Sequence, residues 1–224
     1  MNRFYSPYTP AGTNDDKYAD KRWEMVENQI VYRGISNATV IDAMLKVKRH
    51  LFVPEKYIDA AYGDNPIPME KGQTVSQPYI VALMTELLEP MPGKKILEVG
   101  TGSGYQTAVL AETGCDVYTI EIIEDLAIQS RKILDKLGYS NVSFRIGDGY
   151  AGWKEHAPFQ GIIVTAAPAN IPEKLVDQLS MEGKLVIPIG NTNQELQLIE
   201  KTSEGLKKKR ITSVRFVPMT HSPN

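Results

Sequence analysis

The chain has 224 residues, 42% of them apolar, with a formal net charge of -2 and one cysteine. That length and composition suit a single globular unit, and interspersed charges leave no basic field of the kind a nucleic-acid partner requires. A lone thiol, Cys115, excludes an internal disulfide framework and fits the cytoplasm, and without a signal-like N-terminus or a long apolar stretch no membrane association is expected.

In chain order, residues 1–22 are polar and rich in turn formers, so they read as a flexible tail, with structure beginning near Trp23. WEMVENQIVYRGI and NATVIDAMLKV carry apolar residues at helical spacing, with Gly34 closing the first helix and Asn37 capping the second. His50 to Pro78, studded with prolines, reads as an irregular connector with one short helix around Tyr57, so residues 23–78 form a small helical lobe plus connector. Residues 79–224 read as the core. There KILEVG, DVYTIE, VSFRIG, GIIVTA and KLVIPIG look like strands, alternating with helices over TAVLAET, EDLAIQSRKILDKL and PEKLVDQL, and Gly138 is a helix stop. ELQLIEKTSEGLKKKRITSVRFVPM alternates apolar and polar residues and reads as an antiparallel hairpin, its KKKR run (Lys207 to Arg210) a solvated turn between edge strands. The fold class is therefore α/β: a mostly parallel central sheet with helices on both faces, an antiparallel C-terminal hairpin and a small N-terminal helical lobe.

The loop after the first core strand decides the ligand class. Gly100, Gly102 and Gly104 allow a tight turn and close approach to a ligand, but Tyr105 stands where a dinucleotide fingerprint needs a small residue. What remains is Glu98 followed by G-x-G-x-G, a pattern similar to the S-adenosylmethionine loop of Rossmann-like methyltransferases, where an acidic residue suits a cationic ligand. Glu121, ending the second strand about 20 residues further on, is placed to accept from both ribose hydroxyls. Asp148 is a candidate for the adenine amino group, with Gly149 leaving room for the ring; the alternative is a plain Asp-Gly turn.

GQTVSQPYIVA, EVGTGSGYQTA, GDGYAGW, VTAAPANIPEKLVDQL and VRFVPMT together, in this order, resemble the protein-L-isoaspartate O-methyltransferases, over about Trp23 to Thr220. The resemblance implies Ser76 as the active-site residue, Val75, Gln77 and Pro78 against the cofactor, and backbone donors around Val217 and Thr220 in a peptide cradle. It implies S-adenosylmethionine as methyl donor and proteins or peptides containing L-isoaspartate as substrates; open access for such substrates points to a monomer, and three scattered histidines with one cysteine form no metal-ligand pattern, so no metal is expected. The chemistry asks for little acid-base help, because a carboxylate is already ionised at neutral pH. His50, His156 and His221 accordingly belong to no hydrolase-like set. A methyltransferase of a small molecule or of another protein site and a non-catalytic binding module are the competing readings, separated from this one by turnover on an isoaspartyl peptide.

Overall fold

A computed structural model of the chain describes residues 17–221, so residues 1–16 of the expected tail lie outside the described residues. The remaining tail positions correct the expected boundary at Trp23: helix α1 spans Ala19–Met25 and passes into a π-helical segment, Val26–Val31. Gly34 follows in the left-handed region, and the Asn37 side chain accepts from the Val40 N–H at 3.2 Å to start α2 (Ala38–Lys46). The connector carries more structure than the sequence suggests. It holds 3-10 turns at Arg49–Phe52 and Glu55–Ala60, and strands β1 (Ile67–Pro68) and β2 (Thr74–Val75) pair antiparallel across a tight loop.

Helix α3 (Pro78–Leu87) was not expected. PYIVALMTEL has no regular polar stripe because Val81, Ala82, Met84 and Thr85 are all buried, so the periodicity that betrays an amphipathic helix is missing. Its start is nonetheless chemically marked, since Pro78 at the first helical position brings a helical φ and no N–H to satisfy.

Beyond it come β3 (Lys95–Val99), α4 (Tyr105–Glu112), β4 (Asp116–Glu121), α5 (Glu124–Lys136) and β5 (Val142–Ile146). β6 (Phe159–Val164), α6 (Glu173–Asp177), β7 (Leu179–Ile189), β8 (Gln194–Thr202) and β9 (Gly205–Val214) complete the chain. The sheet order is β5-β4-β3-β6-β7-β8-β9, parallel through β7 and antiparallel in β8 and β9. Strand β7 begins at Leu179, earlier than the KLVIPIG run. Lys207 to Arg210 lie within β9, paired with Glu200 to Gln197, and not in the turn; an exposed edge strand solvates their side chains equally well.

Ile96, Val117, Ile163 and Val186 pack on one face of the sheet with Met84 of α3 and Leu88 just after it, and Leu97, Val99, Ile162 and Leu185 pack on the other with Leu175 of α6. Burial on both faces explains why these strands read as unbroken apolar runs. The lobe shares its core with the sheet domain, since Met25, Ile30, Val40 and Met44 pack with Val81, Tyr105, Val109 and Leu134. Strand β3 is flanked by β4 and β6, so the chain leaves it in opposite directions and opens a crevice at its C-terminal end, where open α/β sheets bind ligands.

Candidate active site

That crevice is a cleft open to solvent, lined by the β3–α4 loop, the end of β4 and the C-terminal strip. Its floor is the β3–α4 loop. Gly100 has φ +98, and a Cβ there would stand 2.3 Å from Thr165 Oγ1, so the loop tolerates only glycine. The Gly100 N–H donates to the Ile120 carbonyl at 2.8 Å, and the Thr165 hydroxyl donates to the Gly100 carbonyl at 2.6 Å, fixing the loop from both neighbouring strands. Helix α4 starts at Tyr105 without a side-chain cap, and Tyr105 and Gln106 line the cleft. The Tyr105 N–H is already taken by Ser103 Oγ at 3.2 Å, so what the helix start offers an anionic group is the positive end of its dipole.

Glu121 ends β4, is 5% exposed and lines the cleft. Its Oε2 accepts from the Gly102 N–H at 2.8 Å and its Oε1 from the Ile123 N–H at 2.9 Å. A carboxylate offers about four lone-pair positions, so acceptors remain for two hydroxyls. At Gly149 an added Cβ would meet Val99 Cγ1 at 2.3 Å and Met219 Cε at 3.3 Å, so only glycine lets this turn pack directly against β3 at the cleft wall. Ile122 and Ile123 supply apolar surface to the cleft.

Ser76 lies between β2 and α3, half buried, and lines both this cleft and an adjoining groove formed with Ile80, Ser213, Val214, Arg215 and Phe216. Among the described residues its hydroxyl has no hydrogen-bond partner. The C-terminal strip closes the cleft: Ala167 donates to the Val217 carbonyl at 2.8 Å and Met219 donates back to Ala167 at 2.9 Å, with Val217 and Thr220 in the lining.

The cleft thus gathers Val75, Ser76, Gly100, Gly102, Glu121, Gly149 and Thr220. Four other expected residues sit elsewhere. Glu98 is completely buried beneath the loop, its Oε2 accepting from Thr107 at 2.5 Å and Thr119 at 2.6 Å while Oε1 has no partner. Burial pushes its carboxyl up to about 8, against the pull of those two hydrogen bonds and with the Glu121 charge adding to the rise. A buried acid facing two threonines supports the loop and does not meet a cation in the cleft. Asp148 is outside the lining; its Oδ1 accepts from the Tyr150 N–H at 2.8 Å, and its Oδ2 pairs at 2.8 Å with His221, whose ring stacks on Tyr150 at 4.0 Å. Gln77 turns to the groove and Pro78 is packed into the start of α3. The sequence reading missed Gln73, Thr101, Gln106, Thr165 and Met219, although all five stand within or beside the quoted segments.

Sheet order, glycine loop and strand-end carboxylate together define a Rossmann-like S-adenosylmethionine-dependent methyltransferase. The family model of the protein-L-isoaspartate(D-aspartate) O-methyltransferases matches residues 20–224, and the chain belongs to that family. It is 49% identical over 198 residues to a protein-L-isoaspartate O-methyltransferase of Gloeobacter violaceus, covering 88% of this chain and 97% of that one. One solved protein-L-isoaspartate O-methyltransferase superposes with a TM-score of 0.81 at 27% identity, covering 88% of this chain and 65% of the other. A Plasmodium falciparum protein assigned the same activity, solved with S-adenosyl-L-homocysteine, superposes with a TM-score of 0.77 at 30% identity, covering 88% and 97%.

The residues present fit the methyl donor. Glu121 keeps acceptors that would suit ribose hydroxyls, Ile122 and Ile123 would offer apolar surface to a ring, and the positive end of α4 would suit the amino-acid carboxylate. Among the described residues no three His, Cys, Asp or Glu side chains converge to hold a metal, and no helix is long and apolar enough to cross a membrane.

Proposed function

We propose that this chain transfers a methyl group from S-adenosylmethionine to the free α-carboxylate of L-isoaspartyl residues in damaged proteins and peptides, starting their repair through a succinimide. The observation that carries this reading is Ser76, an unpartnered hydroxyl at the seam between the cofactor cleft and a groove open to solvent. Bound in the cleft, the donor supplies a sulfonium-activated methyl group. The protein's task is then alignment and exclusion of water. Ser76 donates to one oxygen of the incoming carboxylate and aims the other along the line of attack, without neutralising it as a lysine or arginine would. Glu121 and the positive end of α4 hold the donor still, and no general base is needed because the acceptor arrives ionised.

Ordinary aspartate presents a carboxylate of the same basicity, so selectivity rests on shape. The isomer carries one more backbone methylene, and the groove edge from Ser213 to Arg215 would pair its main-chain groups with flanking amides in one register only, the Phe216 N–H and carbonyl being held by Gln194. In our reading the enzyme is a cytoplasmic monomer without nucleic-acid partners, and light scattering tests its mass. The decisive experiment is labelled methyl transfer to an L-isoaspartyl peptide and to its L-aspartyl twin. Label is expected on the first alone, released slowly in base as the ester closes to a succinimide and expels methanol. Equal labelling of both peptides overturns the repair reading.

A further inference from the structure

Gln77 occupies the cap position of α3, yet its side chain makes no cap. Its Nε2 instead donates to the Asp64 backbone carbonyl at 3.1 Å and to Asp64 Oδ1 at 2.8 Å, so one amide grips one residue twice. Asp64 Oδ2 accepts in turn from Arg33 Nη1 at 3.2 Å. The Arg33 guanidinium lies 3.5 Å over the ring of Tyr79, in the first turn of α3. Arg33, Asp64, Gln77 and Tyr79 therefore close a ring of contacts around the residue that follows Ser76, tying it to the helical lobe.

We propose that Asp64, steadied by Arg33, is a positioning residue for Ser76 and acts through Gln77. This rests on the reading of Ser76 given above. Ser76 has no hydrogen bond of its own among the described residues, and the two-residue ladder before it supplies little constraint, so its placement depends on what holds Gln77. The ring contributes little to folding, because the side chains of Arg33 and Asp64 are 38% and 43% exposed and exposed ion pairs are weak. Alignment is far more sensitive, since a misplacement of about 1 Å near reacting atoms can cost roughly a hundredfold. A network of small structural weight and large catalytic weight follows.

The test compares Asp64→Ala, Asp64→Asn, Gln77→Ala and the Asp64→Ala/Gln77→Ala double variant with the parent and Ser76→Ala. It measures kcat and KM on an L-isoaspartyl peptide, S-adenosylhomocysteine affinity by calorimetry, and melting temperature. Asp64→Ala and Gln77→Ala are each expected to lower kcat about tenfold, part of the full misalignment loss. Cofactor affinity and melting should stay near parental values, and the double variant should lose no more than the worse single one. Asp64→Asn keeps the acceptor for Gln77 and should recover most of the rate. The proposal is overturned by an unchanged kcat in Asp64→Ala, by losses that multiply in the double variant, or by a kcat loss matched by weaker cofactor binding or lower melting. Should Asp64→Ala fail to fold, Gln77→Ala and Asp64→Asn decide by the same criteria. A parent inactive on the peptide, or a fully active Ser76→Ala, would instead sink the functional reading.

Discussion

The two walls of the cleft are built on different principles. The cofactor wall is made of buried backbone at strand ends: Gly100 is pinned to Ile120, and Glu121 is gripped by the Gly102 and Ile123 amides, all within about two dozen residues of chain. The acceptor wall, residues 70–77, is held by exposed side chains reaching across the fold, Gln77 to Asp64 and Lys71 to Asp125. Rigid, dehydrated groups suit affinity, whereas a strip tied by solvent-exposed contacts suits a surface that must admit protein substrates. Damage to the first wall should therefore appear in cofactor binding and damage to the second in turnover.

The sharpest separation is expected from Ser76→Ala. Losing the hydroxyl proposed to orient the acceptor should cost about a hundredfold in kcat, while S-adenosylhomocysteine binds as tightly as in the parent. A variant with parental turnover at saturating peptide would reduce Ser76 to a turn residue. Glu121→Ala should do the reverse. It removes charge-assisted hydrogen bonds worth on the order of 1.5–3 kcal/mol each, partly offset by water, so cofactor affinity should fall about 10- to 100-fold. It also strips the Gly102 and Ile123 amides of their acceptor. Calorimetry showing unaltered affinity would remove Glu121 from the site.

Beneath the cofactor wall, Glu98 offers a pH-dependent test of stability. Its folded value of about 8 lies above the ordinary 4.5, so the native state holds a proton that the unfolded chain has released between those limits. The contribution is fully present below about pH 4.5 and is lost as pH rises through about 8, at up to about 1.4 kcal/mol per pH unit. Urea unfolding from pH 5 to 8 should show this decline for the parent and a flatter profile for Glu98→Gln. Identical slopes would mean that the buried carboxyl is ionised in the fold.

The contrast between the walls also governs how much the sequence reveals. The strands and the glycine loop are legible because parallel strands buried on both faces write unbroken apolar runs, and because loop glycines and a strand-end acid are local features. Even there, a buried strand has no solvent face to orient it: Glu98 lies between Leu97 and Val99, all three buried, and its side chain joins Thr119 on the neighbouring strand. The direction of Asp148 was equally hidden, because its partner His221 lies 73 residues away. Gln77 followed the same rule, its partner Asp64 belonging to a connector with little regular pattern. Residue types were readable; tertiary partners of exposed polar side chains were not. The mostly apolar α3 failed for a different reason, the loss of periodicity in a helix that has no fully exposed residue.

The smallest effect should come from the other tether of the acceptor wall. Lys71 Nζ lies 2.8 Å from Asp125 Oδ2, a contact that raises the lysine's pKa and lowers the aspartate's through their hydrogen bond and charge. Both side chains are more than half exposed, so water and salt compete for them. Lys71 also sits at φ 57, and Ala tolerates that left-handed conformation no better, so Lys71→Ala isolates the loss of the ion pair. The expected result is a change in kcat below about twofold, fading as salt rises toward about 1 M and the screening length falls to about 3 Å. Gln77, gripped twice by one residue of the lobe, should give the larger loss and one that salt diminishes less, because one of its two hydrogen bonds goes to a main-chain carbonyl. A tenfold loss in Lys71→Ala that survives high salt would show that both ends of the strip set the geometry at Ser76, and that exposure alone does not separate a weak tether from a strong one.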